Sequence, residues 1–256
     1  MRDPNPQLSN AFKGISLTIT PDGKMMYCKG AGSEMQEKNF SITLEGILAQ
    51  IQKTGFRIPY TKETYQTYYS EALEQHAIPY MVFPYYFFVW TYMRIPSLSE
   101  YIQMYFAVYC NECEDGKFTF KEEVDNSGIT FTKEQLIGRV SRSYNSFTRE
   151  IHLLLMLREK FHVNVGYDLK WDLNGVDLIV KVSGKYVGIA TYVESARSNN
   201  YKQRKNTVRH DYSKIRMVDM RAELKEAESS TYSVNNVKLY RPEYVARVYQ
   251  NQICAA

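Results

Sequence analysis

A long helical pattern in the second half of the chain, directly followed by strand patterns, constrains the fold more than any other feature. Thr132 and Gln135 have the spacing of a capping box, in which each side chain bonds the other residue's backbone amide. Apolar residues then recur at intervals of three and four positions: Leu136, Val140, Tyr144, Phe147, Ile151 and Leu154. This spacing predicts one helix that buries a continuous apolar face and ends near Phe161.

Three short runs after this helix have the composition of strands. They cover residues 163–169, 176–182 and 185–193. Ser183 and Gly184, between the last two runs, are typical of a two-residue hairpin turn. The later elements are two basic helices, a strand and a terminal helix, expected at 198–209, at 211–226, at 236–240 and after Pro242. We therefore expect an α/β (α+β) domain at 131–256, with a small mixed sheet flanked by helices.

The first 130 residues carry a different pattern. Two short strands around the turn Pro21-Asp22-Gly23 precede a polar loop at 30–38. Helices are expected at 41–54, 61–75 and 98–110. The aromatic stretch 78–95 is interrupted by two prolines and an arginine, so it predicts buried core or a subunit interface rather than a membrane span. We expect residues 1–130 to form a mainly helical recognition or dimerisation region, with the boundary in the polar segment 110–128.

Charge is unevenly divided along the chain. Residues 1–115 contain 9 Lys and Arg against 12 Asp and Glu, whereas residues 116–256 contain 23 against 16. The densest stretch, Arg197–Arg221, has eight basic and two acidic side chains. Because the whole chain carries only +4, this surplus in one half favours a polyanion partner for that half, and nucleic acid is the partner we expect.

The sequence also bears on location. No window resembles a membrane span, and the N-terminal ten residues lack the apolar run of a signal peptide, so we expect a cytoplasmic, intracellular protein with no membrane partner. The four cysteines are then expected to be reduced. Cys110 and Cys113 form a single CxxC pair and the four histidines lack ligand spacing, so structural thiols are favoured over a zinc site.

Three carboxylates in the second half are candidates for metal-dependent chemistry. Glu150 lies on or beside the apolar face of the long helix, where an unpaired charge is costly. Asp177 begins one hairpin strand and Glu194 ends the other, so the two acids are expected at the same end of the hairpin. A cluster of carboxylate oxygens suits Mg²⁺ (or Mn²⁺), which keeps waters and phosphate oxygens among its ligands. Such an ion activates an attacking water.

The helix expected after the hairpin supplies candidate phosphate contacts. Lys202, Lys205 and Arg209 recur at i, i+3 and i+7 along one face, and Arg197 and Arg204 flank that face. Cations so placed are suited to hold phosphates, and Lys205 is a candidate to stabilise the transition state or orient the nucleophile.

The order of these features resembles the PD-(D/E)xK, or restriction-endonuclease-like, nuclease superfamily. In this chain the order is a helix with a glutamate, a strand with an aspartate, a hairpin strand and a basic helix, over about residues 132–240. The resemblance implies that Glu150 is the helix carboxylate and Asp177 the strand aspartate, and that they bind Mg²⁺. It further implies a metal-dependent DNA endonuclease of restriction, phage or mobile-element type, which often acts as a homodimer.

The sequence departs from this superfamily in the second hairpin strand, where an acid and a lysine belong. Ala190, Thr191 and Tyr192 occupy that place. Within the resemblance, Glu194 would substitute for the acid, and Lys205 or Lys202 for the lysine. A catalytically inactive nucleic-acid-binding module on the same fold is the second interpretation. A structural or assembly protein, with the Tyr-rich first half as its interface, is the third.

Structural roles compete with chemical ones at these positions. Glu150 can pair with a neighbouring cation such as Arg149, and Asp177 can cap the turn after Asn174-Gly175. A cationic helix is often a solvated face. Trp171 and Asp172 are expected to be packing and turn residues.

Overall fold

The computed structural model describes residues 14–54, 65–76, 78–125, 127–193, 215–223 and 230–254. Its strands are β1 Ser16–Ile19, β2 Lys24–Cys28, β3 Gln36–Asn39, β4 Cys110–Glu112, β5 Phe118–Phe120, β6 Thr130–Phe131, β7 Asn164–Asp168, β8 Leu178–Val182, β9 Lys185–Val193, β10 Arg216–Ala222, β11 Thr231–Val234 and β12 Val237–Tyr240. Its helices are α1 Leu44–Thr54, α2 Tyr65–Tyr68, α3 Glu71–Gln75, α4 Val82–Tyr92, α5 Leu98–Tyr109, α6 Lys133–Glu159, α7 Leu169–Asp172 and α8 Pro242–Val248, followed by a π-helical turn at Tyr249–Ile253.

Seven strands form one mixed sheet in the order β10-β9-β8-β7-β1-β2-β3. Neighbouring strands are antiparallel except β9 and β10, which run parallel. A parallel pair needs a crossover connection, and the residues that make it, 194–214, lie outside the described part of the chain. Strands β1–β3 precede residue 130 and β7–β10 follow it, so both of the predicted regions contribute strands to one sheet. The fold is α+β.

Helix α6 is the central element of the core. Its predicted capping box is present, with the Gln135 amide donating to Thr132 Oγ1 at 3.3 Å and the Thr132 amide donating to Gln135 Oε1 at 2.9 Å. From Phe147 to Leu157 every side chain is buried. A helix buried all round needs partners all round, and α6 contacts β7 and β9 on one side and α1, α4, α5 and β12 on others. The polar side chains in this stretch are therefore removed from water and depend on partners within the protein; they are Thr148, Arg149, Glu150 and His152.

The hairpin β8–β9 has the predicted turn. Ser183 and Gly184 both adopt positive φ, 49° and 81°, as a tight two-residue turn requires. The turn fixes a register in which Val182 pairs with Lys185 and Leu178 with Ile189. Asp177, one residue before β8, is thereby placed beside the middle of β9, and its amide donates to the Ile189 carbonyl at 2.9 Å.

The aromatic stretch 78–95 is core, built around helix α4. Three tyrosines of α5 are buried against the segment that precedes α4, and each hydroxyl donates to a backbone carbonyl there. Tyr101 bonds Met81, Tyr105 bonds Pro79 and Tyr109 bonds Tyr80, at 2.9–3.0 Å. Tyrosine suits these positions because it fills apolar space while its hydroxyl satisfies a buried carbonyl. Among the described helices, none is long and apolar enough to cross a membrane.

Two sequence predictions are wrong. The helix predicted at 211–226 is, in its described part, strand β10: Val218, Met220 and Ala222 are buried and alternate with exposed Asp219 and Arg221, which is a period of two. The polar loop predicted at 30–38 contains β3, an edge strand with four exposed residues and no apolar alternation to reveal it. In addition, the polar segment 110–128, in which the boundary between the two regions is expected, supplies β4 and β5, which form a small sheet with β6. The helix predicted at 198–209 lies outside the described residues.

Candidate active site

Two of the predicted site residues meet at Thr191 in β9. Thr191 donates its backbone amide to Asp177 Oδ2 at 2.5 Å, and its hydroxyl lies 3.4 Å from Glu150 Oε1. Glu150 comes from the centre of α6, which packs against β9, and Asp177 comes from the turn before β8. Helix packing and hairpin register together bring these three residues to one point. Thr191 lies in the segment 190–192, which has neither an acid nor a lysine.

Glu150 is a buried acid with little to stabilise its charge. Its side chain is 5% exposed, and Oε2 has no hydrogen-bond partner. Burial raises the pKa of this carboxyl well above its usual range, and the charges of Asp177 and Asp172 raise it further. Arg149 and the Thr191 hydrogen bond act in the opposite direction without reversing the shift. An oxygen so placed either keeps a proton or needs a cation.

Arg149 is not the ion-pair partner that a structural interpretation of Glu150 requires. Its guanidinium is buried, but it donates to Ser146 Oγ at 3.2 Å and to the Lys238 carbonyl at 3.4 Å, and it lies 5.8 Å from the ring centroid of Tyr240. Adjacent helix positions point about 100° apart, so Arg149 faces β12 while Glu150 faces the sheet. Within the described ranges, no cation lies within ion-pair distance of Glu150.

Two stacked tyrosines lie within the electrostatic reach of these acids. Tyr86 from α4 and Tyr167 from β7 stack with ring centroids 3.7 Å apart and planes 7° from parallel. Burial raises the pKa of both hydroxyls well above the usual range. Glu150 contributes most to the further rise at Tyr86, and Asp172 does so at Tyr167. The Tyr86 hydroxyl is buried without a hydrogen-bond partner. The first half of the chain therefore supplies part of the surroundings of Glu150.

The remaining predicted site residues are not described by the structure. They are Glu194, Arg197, Lys202, Arg204, Lys205 and Arg209, and all lie within 194–214. Their roles as third carboxylate, phosphate contacts and lysine substitute stay predictions. Sequence reasoning missed Thr191, Tyr86, Tyr167 and Asp172 as members of this site. The hairpin register implied by Ser183-Gly184 was the signal that pointed to Thr191.

The donor set can be tested against the implied Mg²⁺. In the described part of the chain, no three Asp, Glu, His or Cys side chains are grouped so that protein ligands alone could hold a metal ion. Mg²⁺ does not need such a group, because it commonly uses one or two carboxylates and fills its other positions with waters and phosphate oxygens. Asp177 and the unpartnered oxygen of Glu150 match that requirement, so the residues present fit the ion.

The CxxC pair offers no comparable site. All four cysteines are free thiols. Burial raises the pKa of Cys110 to about 12, which opposes the thiolate form that a metal ligand needs.

Comparisons of the chain with protein-family models, with curated proteins and with solved structures gave no match. The strand order and the residues around Glu150 are therefore the observations that bear on function.

Proposed function

We propose that the chain is a metal-dependent endonuclease that hydrolyses phosphodiester bonds in DNA, on a restriction-endonuclease-like core. The observation that carries the proposal is the convergence of Glu150 and Asp177 on Thr191, with a buried Glu150 oxygen that has no partner. Paired carboxylates at a site that strongly raises one pKa are more common in functional sites than elsewhere.

The order of elements supports the same proposal. Helix α6 is followed by the antiparallel strands β7, β8 and β9, and then by β10 parallel to β9. Glutamate on the helix and aspartate at the start of the second strand occupy the places that the sequence resemblance implied. The departure remains at Thr191, whose hydroxyl is a neutral oxygen where the superfamily motif has a carboxylate.

Within this proposal the chain's own residues position the reacting groups. Asp177 and Glu150 would hold Mg²⁺, and the Thr191 amide fixes the orientation of the Asp177 carboxylate. When bound, the ion lowers the pKa of an attacking water and offsets charge on the phosphate. The cation would also offset the repulsion that Glu150, Asp172 and Asp177 exert on one another. Burial of Glu150 keeps competing bulk water away from one side of the site.

The test is cleavage of supercoiled plasmid and of single-stranded DNA with Mg²⁺, Mn²⁺ or EDTA. We expect metal-dependent products from the wild type and a loss of at least about a hundredfold in rate for Asp177→Asn and Glu150→Gln, because each removes one of the two proposed ligands. The matched control is Glu112→Gln, which removes an exposed carboxylate from β4 and is expected to cleave like the wild type.

The outcomes separate the three interpretations. Absence of cleavage in every metal, with salt-sensitive DNA binding retained, would contradict the enzyme and favour the inactive module, because phosphate contacts release counterions. Absence of both cleavage and binding would contradict both and leave the assembly protein. Equal loss in Glu112→Gln would show that the assay reports folding rather than the site.

A further inference from the structure

An exposed tryptophan stands next to the carboxylates of the candidate site. Trp171 is 41% exposed on helix α7, between β7 and β8, whereas the other tryptophan, Trp90, is 4% exposed in the core. The packing role predicted for Trp171 can account for the buried part of this side chain. The accessible part of the indole lies on an ordered element and is available to a ligand.

The backbone that carries this indole is held from several sides. Asp168 accepts a hydrogen bond from the Trp171 amide at 3.1 Å through one carboxylate oxygen and from the Thr18 hydroxyl at 2.9 Å through the other. The Trp171 carbonyl accepts the amides of Asn174 and Val176, both at 3.0 Å. These bonds tie α7 to β1 and to the residue just before Asp177. The indole is thus presented on a fixed turn rather than on a loose loop.

The same turn leads into the site. Asp172, the next residue, raises the pKa of Glu150, and Asp177 follows Val176 directly. Lys170, the preceding residue, is exposed and adds a cation to the same short helix. An exposed aromatic ring next to a cation is the combination with which proteins hold single-stranded nucleic acid, where bases stack on the ring and phosphates contact the cation.

We propose that Trp171 is a stacking platform for an unpaired base of single-stranded DNA, with Lys170 contacting an adjacent phosphate, at the rim of the candidate active site. In duplex DNA the faces of the bases are covered by their neighbours, so the platform selects a single-stranded or frayed segment. This inference rests on the proposed nucleic-acid partner and adds the class of substrate to it.

The test measures binding in EDTA, where metal-dependent cleavage does not take place. The probes are a labelled oligothymidylate and an abasic deoxyribose-phosphate chain of the same length, which has the phosphates but no bases. Anisotropy of the label reports binding, and tryptophan emission reports stacking. We expect oligothymidylate to quench the emission of the wild type, and the abasic chain to bind more weakly without quenching.

Substitutions at Trp171 show which of the two tryptophans gives the quenched emission. Trp171→Phe leaves only the buried Trp90 as emitter, so quenching should disappear while part of the affinity remains. Trp171→Ala should weaken oligothymidylate binding about tenfold and abasic binding little. The matched control is Tyr186→Ala, which removes a 55% exposed aromatic ring that also has a cation near it, Lys181 Nζ at 5.7 Å, but that lies next to the hairpin turn, at the end of β9 away from Thr191. This variant should bind like the wild type; an equal loss of affinity would show that any exposed aromatic ring beside a cation contributes, and would overturn a specific role for Trp171.

The outcomes distinguish failure of this inference from failure of the proposed function. Binding by anisotropy with no quenching, or with equal affinity for the abasic chain, overturns the stacking role and leaves the nucleic-acid partner in place. Absence of binding to either probe overturns the stacking role, and the plasmid cleavage assay then decides on the proposed function independently. Cleavage plays no part in the readout, so an inactive but nucleic-acid-binding chain would still support the stacking role.

Discussion

Two buried carboxylates in this molecule have nearly equal exposure and opposite surroundings. Asp125 is 4% exposed and Glu150 is 5% exposed. Asp125 contacts His76 Nε2 at 2.8 Å and accepts hydrogen bonds from the hydroxyl and the amide of Ser127 at 2.7 and 3.2 Å. Among the described residues, Glu150 has one side-chain hydrogen bond, from the Thr191 hydroxyl at 3.4 Å. The charges of Asp177 and Asp172 repel its carboxylate. Burial alone therefore does not distinguish the two acids; the presence or absence of hydrogen-bond partners does.

This difference in hydrogen-bond partners determines whether each acid stabilises or destabilises the fold. Asp125 joins the loop after β5 to the residue that follows α3. Both of its carboxylate oxygens have hydrogen-bond partners, and such bonds stabilise the fold. Glu150 opposes the fold unless a proton or a cation is supplied. A buried acid of this kind lowers the free energy of unfolding, and acids with strongly raised pKa values are more frequent in functional sites than elsewhere.

The largest expected effect is opposite changes in stability when the two acids are neutralised. Asp125→Asn should lower the free energy of unfolding by about 2 kcal/mol, because it removes the charge that holds His76 and Ser127. Glu150→Gln should raise it by about 1 kcal/mol in EDTA, because folding of the wild type at pH 7 must either protonate this carboxyl or bury its charge without a partner, and the neutral amide needs neither. Urea unfolding at pH 7 measures both. A Glu150→Gln variant less stable than the wild type would contradict the account of this site.

The pH dependence of stability gives a second contrast. Glu150 titrates near 4.5 when unfolded and well above that when folded, mainly because of burial. Its protonated form therefore contributes stability that is fully present below about 4.5. That stability is lost, by up to about 1.4 kcal/mol per pH unit, as the pH rises through the folded pKa. In EDTA the wild type should show this decline and Glu150→Gln should lack it.

Mg²⁺ is the control for that decline. An ion that binds only the folded chain stabilises it by mass action, so millimolar Mg²⁺ should raise the melting temperature of the wild type at pH 8 and leave Glu150→Gln unchanged. The measurement does not depend on cleavage. Equal stabilisation of both proteins would place the ion elsewhere.

The sequence predicts the features of the Glu150 site that depend on local spacing. Helical periodicity placed Glu150 against the core, and Ser183-Gly184 specified the hairpin that carries Asp177 to β9. The hairpin register brings Asp177 to Thr191, but the contact between Thr191 and Glu150 depends on the packing of α6 across β9, which leaves no local signal. Strand β10 was misread because its cations resemble a solvated helix, although its apolar residues alternate with a period of two.

Tyr86 was missed for a related reason. It lies in a run of aromatic residues whose pattern predicts core, and nothing local shows which hydroxyl of that run lies within electrostatic reach of the carboxylate of Glu150. The tertiary packing of α4 against β7 decides this, since it stacks Tyr86 on Tyr167.

The smallest expected effect concerns two buried tyrosines, Tyr86 and Tyr105, which are both 0% exposed. Tyr105 donates to the Pro79 carbonyl at 2.9 Å, so Tyr105→Phe leaves a buried carbonyl unsatisfied and should cost about 1 kcal/mol. The Tyr86 hydroxyl has no partner and lies among acids, so Tyr86→Phe should be neutral or slightly stabilising in EDTA. Thermal unfolding of both variants tests this contrast. If Tyr86→Phe costs as much as Tyr105→Phe, the Tyr86 hydroxyl is satisfied in solution and is not part of an unsatisfied polar site around Glu150.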